Sequence, residues 1–517
     1  MSDNKMKFFW RAGVAFALVF TVLLSIRINL FGKLLPAPQT ASFSSVISLS
    51  ERDTWMNISH KDRKIGYSHS TILQTSKGYR LTEILYMRIN TMGMVQDLNL
   101  KTQADLHPDL SISSFDFEIS SGRFRFAVTG TFFQNILSIQ TQSSGSSRKY
   151  DVKVKEKPYL AAGIADAVIA EGLRPGETRT FNVFDPATMG QEPVVVRVAG
   201  KEDVLNMGRK QDATKVLLTF KGTTQKAWIG ENGEILKEEG LLGIRLEKTS
   251  RHDALFGLPI KASQDLTEVV SVPSNVIIEH PEDLKHLKVK IEGISFDRLD
   301  LDGGRQRLEG QVLTIEKEGL ADLKVELISS ERTETSKNIE NRFLQPTLFI
   351  QSDHKKIRGL AKKIVSEADL PLEKAKKILF WVYKNIEKRP VLSVPDALST
   401  LENRIGDCNE HAILLAALSR AAGIPARIEA GLVYLNGRFY YHAWNLLYVG
   451  KWVTADSLFG QIPADITHIR FSGGTPENQL DLIGVVGKVK LTVIEPKPDK
   501  PGIKKNLVPM RSSESTG

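Results

Sequence analysis

The chain has 517 residues, a length that implies roughly two to four domains, and its 69 Lys and Arg against 60 Asp and Glu leave a net charge of +9 spread along its length. One cysteine and ten scattered histidines exclude an internal disulfide and a cysteine-rich zinc site. There is no glycine-rich phosphate loop, and no basic stripe with interleaved aromatics that would point to nucleic acid. The first element is the apolar run Ala12–Ile26 behind Lys5, Lys7 and Arg11, extended past Arg27 by Ile28-Asn29-Leu30-Phe31. A secretory core needs ~7–15 apolar residues and a spanning helix ~20, and Leu34-Leu35-Pro36-Ala37-Pro38 is a poor cleavage site. Residues 1–33 therefore read as an uncleaved signal anchor, with Arg27 snorkelling to the far interface and the basic flank in the cytoplasm. The expectation is a single-pass inner or plasma membrane protein with the bulk of the chain in the periplasm or outside the cell. A lone cysteine suits an oxidising compartment.

Residues 34–45 form a Pro- and Ser-containing linker, and residues 46–272 read as almost wholly β. Trp55-Met56-Asn57-Ile58 and Ile65-Gly66-Tyr67-Ser68-His69 flank a polar turn at Lys61-Asp62-Arg63-Lys64. Phe115, Phe117 and Ile119 alternate with acidic residues, and Phe124, Phe126 and Val128 repeat the period of two that puts one face on a core. Glu231-Asn232-Gly233-Glu234 is a hairpin turn, and Ala161–Leu173 is the one predicted helix of this region.

The composition shifts at Val272-Pro273. Leu287–Ile291 and Leu323–Leu327 alternate like strands around a turn at Asp302-Gly303-Gly304, giving a small β domain over residues 280–335. Helical spacing then takes over at His354–Ala368 and Leu372–Glu387, the second opened by Pro371, with Ile378, Leu379, Trp381, Val382 and Ile386 facing inward. Residues 340–495 read as an α+β domain, and residues 496–517, rich in Lys, Pro and Ser, as a disordered tail.

Within that α+β domain the single cysteine stands in Gly406-Asp407-Cys408-Asn409-Glu410. Ala412, Leu414, Leu415, Leu418 and Ala422 form an apolar helical stripe behind it, stopped by Gly423 and Pro425. Asp407 and Glu410 have the spacing of a capping box, so Cys408 falls in the first turn, where free N–H groups favour a thiolate. The two neighbouring acids oppose that charge, and a histidine must supply the rest. His442 sits in the strand-like run Phe439–Val449, and Trp452–Asp456 reads as the next antiparallel strand. A three-residue loop Val449-Gly450-Lys451 places Asp456 opposite Trp444 and diagonal to His442 on one face, whereas a two-residue loop separates them. The carboxylate then holds the imidazole in one tautomer, with Asn445 and Asp465 as the alternatives for this third position. Taken singly, a lone cysteine is more often a buried small hydrophobe and a strand histidine a satisfied core residue; the three together are the signal.

The run from Asp396-Ala397-Leu398 through Gly406-Asp407-Cys408, Leu418-Ser419-Arg420-Ala421-Ala422-Gly423-Ile424-Pro425, His442-Ala443-Trp444 and Trp452…Asp456 resembles the transglutaminase-like superfamily of papain-like thiol enzymes. The resemblance implies a papain-like fold over 340–495, with Cys408 as nucleophile, His442 as base and Asp456 as third member of a catalytic triad. It also implies an acyl-enzyme resolved by water or by an amine, acting on a protein or peptide substrate. Some cross-linking relatives use calcium, but no acidic loop here has calcium-ligand spacing, and no cofactor or metal is expected. The overall expectation is a multidomain chain: N-terminal membrane anchor, large mainly-β region, small β domain and C-terminal α+β papain-like transglutaminase domain. The competing expectation is a non-catalytic binding or scaffold protein of the cell envelope that works through its β-rich region.

Overall fold

The computed structural model describes residues 49–143, 146–258, 260, 264–320, 341–474 and 482–498. The expected anchor over 1–33, the linker over 34–45 and the strand at Leu323–Leu327 lie outside the described residues. Among the described residues, no helix is long and apolar enough to cross a membrane.

Alternating sequence between residues 52 and 249 becomes one fifteen-stranded sheet. Its two halves join where the first strand, Arg52–His60, pairs antiparallel with Ile244–Thr249. The first expected hairpin forms with a tighter turn than its four polar residues suggest. Lys61 and Asp62 alone make the bend, both at positive φ (48° and 63°), and Arg63 already opens the next strand. Two such residues match the right-handed twist of the flanking strands. Thr54, Met56, Ile58 and His60 are buried on one face of Arg52–His60, as are Phe115, Phe117, Phe124, Phe126 and Val128 on theirs. The sheet curls until distant strands meet: the rings of Phe115 and Phe184 lie 5.5 Å apart.

The predicted helix at Ala161–Leu173 is a 3-10 turn, Ala161–Gly163, running into an α-helix over Ile164–Ala170. It packs Ile164, Ala167 and Val168 into the curled sheet. It is not the sole helix of the region. Arg251–Leu255 and Leu266–Val270 follow, capped by Ser250 and Asp265, whose side chains accept the N–H of Asp253 and Thr267. Five residues are too few to leave a readable period. Beside the Ile164–Ala170 helix lies a cavity of about 440 Å³, lined by Thr54, Met56, Ser70, Glu83, Val168 and Glu238 among others.

The small β region is completed from the far end of the chain. Leu284–Glu292 pairs with Val312–Glu316 on one side and Lys490–Pro498 on the other. Residues 496–498, expected in the tail, thus belong to a strand, whose Leu491 and Val493 are buried. Proline is tolerated at such a sheet edge, which composition alone does not reveal. Residues 499–517 lie outside the described residues.

The catalytic-domain candidate begins with helices α1 (Lys355–Ile364) and α2 (Pro371–Asn385), both ending earlier than predicted. Ile378, Leu379, Val382 and Ile386 are buried, while Trp381 is half-buried beneath the Arg404 guanidinium, 4.7 Å from its ring. Helices α3 (Ala397–Asn403) and α4 (Cys408–Ala421) follow. Helix α4 is not merely striped: every residue from Glu410 to Arg420 is buried, so it is the central helix of the domain. A sheet of β1 (Ala426–Leu435), β2 (Arg438–Tyr448), β3 (Trp452–Ala455) and β4 (Ile469–Gly474) packs against it. Val272-Pro273, where the composition changes, pairs with Phe439 and Arg438 at the edge of β2.

Candidate active site

Cys408 is the first residue of α4, and its neighbours fix that position. The Asp407 side chain accepts the Asn409 N–H at 3.0 Å, and Glu410 Oε2 accepts the Asp407 N–H at 3.0 Å. This reciprocal pair needs the chain to pass close by at Gly406, where a Cβ would fall 2.3 Å from that of Glu410. Ser393 Oγ donates to the other Glu410 oxygen at 2.8 Å. Burial, reinforced by Asp407, pushes the Glu410 carboxyl well up. The Cys408 thiol is pushed up as well, by burial and by Asp407 and Glu410, with the Ala443 N–H pulling the other way. The helix start therefore does not ionise this thiol unaided.

Ala443, the residue after His442 on β2, turns its N–H to the Cys408 thiol. His442 Nε2 lies 2.6 Å from Asp456 Oδ2, with both side chains buried. That bond uses Nε2 as donor and leaves Nδ1 with a lone pair able to take a proton. The register is that of a three-residue loop: Tyr448 pairs with Trp452 and Asn445 with Ala455, and the Val449 N–H donates to Lys451 O at 3.0 Å. The ladder ends at that pair, so Asp456 does not pair with Trp444 as expected: its N–H donates to Gln461 O at 2.8 Å instead. The His442 ring lies 5.1 Å from Phe459 at an interplanar angle of 15°, so the imidazole is stacked on that ring. Trp444 donates its indole N–H to Glu429 at 3.0 Å.

Asp456 is held from every side. Its Oδ1 accepts the N–H groups of Leu458 at 2.7 Å and Phe459 at 3.0 Å. Its Oδ2 accepts from His442 and also from His468 Nε2 at 3.0 Å. Burial would raise this carboxyl, but His442 and His468 outweigh it and hold it well below the usual carboxylate range. The two alternatives for the third position do other work. Asn445 turns to the opposite face and donates to Ala412 O at 2.9 Å, tying β2 to α4. Asp465 faces His468, with Oδ1 3.3 Å from its Nδ1, and not His442.

His468 is the residue that sequence reasoning missed. Its signal, a histidine three residues after Asp465, is a turn pattern: the Thr467 N–H and hydroxyl both donate to Asp465 Oδ1, at 2.9 and 2.6 Å. Nothing in its spacing from His442 marks it. The donor atoms of His442, Asp456 and His468 lie within 4.8 Å of one another, a spacing a metal could bridge. Both imidazole Nε2 atoms, however, point at one carboxylate oxygen at hydrogen-bond distance, and this is a donor–acceptor arrangement rather than a set of converging lone pairs. A third buried histidine of the domain, His411, donates from Nδ1 to Asp407 O at 2.7 Å, and burial pushes its pKa down.

Residues 358–457 match the family model of the transglutaminase-like superfamily. A comparison with curated proteins finds no match. Among solved structures, the chain is similar to a candidate cysteine protease from Cytophaga hutchinsonii, with 18% identity over 44% of this chain and 91% of that one and a TM-score of 0.26. It is similar to the periplasmic domain of TgpA from Pseudomonas aeruginosa bound to ethylmercury, with 19% identity over 34% of this chain and 74% of that one and a TM-score of 0.22. A β-barrel-like domain of unknown function from Brucella abortus shares 11% identity over 40% of this chain and 98% of its own, with a TM-score of 0.32.

Proposed function

We propose that this chain, which carries a transglutaminase-like domain at residues 358–457, is a membrane-anchored, exported thiol enzyme that hydrolyses amide bonds of proteins or peptides. The observation that carries the reading is the 2.6 Å bond from His442 Nε2 to Asp456, made on the strand whose Ala443 N–H meets the only cysteine of the chain. With Nε2 committed, His442 Nδ1 takes the Cys408 proton and the thiolate attacks the substrate carbonyl carbon. The Cys408 backbone N–H, one of the first-turn donors without an intrahelical acceptor, donates to the oxyanion. The imidazolium then protonates the leaving amine, and a thioester remains on Cys408. Water, deprotonated by His442, attacks that thioester and releases the acid and the free thiol. An amine in place of water would give transfer; hydrolysis needs no second substrate. Export is supported by the apolar run Ala12–Ile26 behind its basic flank.

The test is the rate of Cys408 alkylation by iodoacetamide on the full-length protein from acid to alkaline pH, beside His442→Ala, with casein digestion in parallel. A fast rate that persists well below the thiol reference of ~8.5 and disappears in His442→Ala is expected. New amino termini from casein should appear with the wild type and not with Cys408→Ala. Incorporation of a fluorescent primary amine without new termini would move the assignment to acyl transfer. A slow, single titration near the reference in both proteins would overturn the reading.

A further inference from the structure

We infer that His468 is a positioning residue of this site, held as an imidazolium between Asp465 and Asp456 so that Asp456 stays ionised and aimed at His442. The inference rests on the assignment of Cys408, His442 and Asp456 given above and adds a second histidine behind the carboxylate.

The geometry carries it. The His468 side chain is 0% exposed, and each ring nitrogen faces a different carboxylate: Nε2 lies 3.0 Å from Asp456 Oδ2 and Nδ1 3.3 Å from Asp465 Oδ1. Nδ1 is also 3.2 Å from the Asp465 carbonyl oxygen. A neutral imidazole has one N–H, so one of these nitrogens would turn a lone pair onto an anion inside the protein. Doubly protonated, the ring satisfies all three oxygens.

The groups that face it from other elements agree. Asp456 comes from the loop after β3, and Asp465 from the turn before β4. From β2, the rings of His442 and Trp444 lie 5.6 and 5.2 Å away, and Phe459 closes a third side at 5.8 Å. From the small sheet, buried Arg305 donates to the His468 carbonyl at 3.1 Å and has Glu318 as its own counter-charge at 3.6 Å. Burial opposes a charge on His468, but Asp465 and then Asp456 outweigh it and push its pKa up to about 9. The ring is thus a cation over the whole physiological range.

The consequence falls on Asp456. One of its oxygens is shared by two imidazole donors and the other by two backbone N–H groups. Without His468, one of those four donors and the positive charge it carries disappear, and the carboxylate is free to tip away from His442.

Two measurements test this on the full chain. In wild-type protein with ¹⁵N-labelled histidine, the His468 ring should show both nitrogens protonated from pH 6 to 8; a neutral ring there overturns the inference whatever any variant does. Alkylation of Cys408 by iodoacetamide at pH 6 should fall roughly tenfold or more in His468→Leu. It should recover in part in His468→Gln, which keeps an N–H towards Asp456 without the charge. Wild-type rates in a folded His468→Leu would overturn the inference, and so would equal losses in both variants that track equal losses of thermal stability. If wild-type Cys408 itself reacts slowly and His442→Ala changes nothing, the enzyme reading fails instead, while the ring spectrum still decides the state of His468.

Discussion

At Asp456 four donors converge on one side chain, and this decides what a single atom change there does. Asp456→Asn replaces an acceptor by an amide whose NH₂ must face either two imidazole N–H donors or two backbone N–H donors. Iodoacetamide reactivity of Cys408 at pH 6 should fall by at least about tenfold. Sequence alone would suggest a lower rate with little effect on stability. The burial of Asp456 says otherwise: breaking a buried, hydrogen-bonded ion pair costs about 3 kcal/mol. A lower thermal midpoint beside the lower rate is therefore expected, and a full rate in a folded Asp456→Asn protein would remove the residue from the mechanism. Because the folded carboxyl is held low, its stabilisation is present above the ordinary aspartate range of about 4 and is lost as the pH falls through and below it.

Between elements, the close approach that matters is β1 against β4. Gly431 pairs with His442 on one side and Arg470 on the other, at a register shift, and a Cβ there would sit 1.9 Å from the Ile469 carbonyl oxygen. The obstacle is backbone, so Gly431→Ala must push β4 away, and His468 immediately precedes that strand. We expect a loss of about 2 kcal/mol or more in unfolding free energy together with reduced Cys408 reactivity. An unchanged midpoint in chemical denaturation would refute the packing argument. The same elements show what was legible beforehand. The capping box at Asp407 is a local rule and puts Cys408 at a helix start, whereas the loop before Trp452 could be read as two or three residues, and the three-residue register is known only from the structure. His468 obeys no such rule. It reaches Asp456 through a turn at Asp465 and a strand that pairs with β1, not with β2, and neither contact has a sequence period.

Across the whole molecule, the strands of the β-rich region could be read one by one, but not the pairing of Arg52–His60 with Ile244–Thr249 that makes them a single sheet. Nor could composition show that this sheet packs on the enzyme domain. Phe126 meets Phe349 at 6.4 Å, Arg148 pairs with Asp353 at 2.8 Å, and Phe124 clusters with Val391 and Ile405, just before the Cys408 helix. Curling has a cost that can be measured. It turns Glu83 and Glu238 onto the same interior cavity, away from the enzyme site. Burial and then the nearby Glu83 push the Glu238 carboxyl up to about 7. A folded pKa above the unfolded one means that the folded state holds the proton more tightly. The stability this gives is complete below about 4.5 and is lost as the pH climbs to about 7. Glu238→Gln removes that ionisation while keeping the shape. Because the group lines a cavity, we expect it to stabilise the protein by on the order of 1–2 kcal/mol at pH 8, less than the full shift would give, and to change little near pH 4.5. Thermal midpoints of variant and wild type at the two pH values decide the matter. An equal difference at both would mean that Glu238 titrates as it does in the unfolded chain and that the curled sheet leaves it open to water.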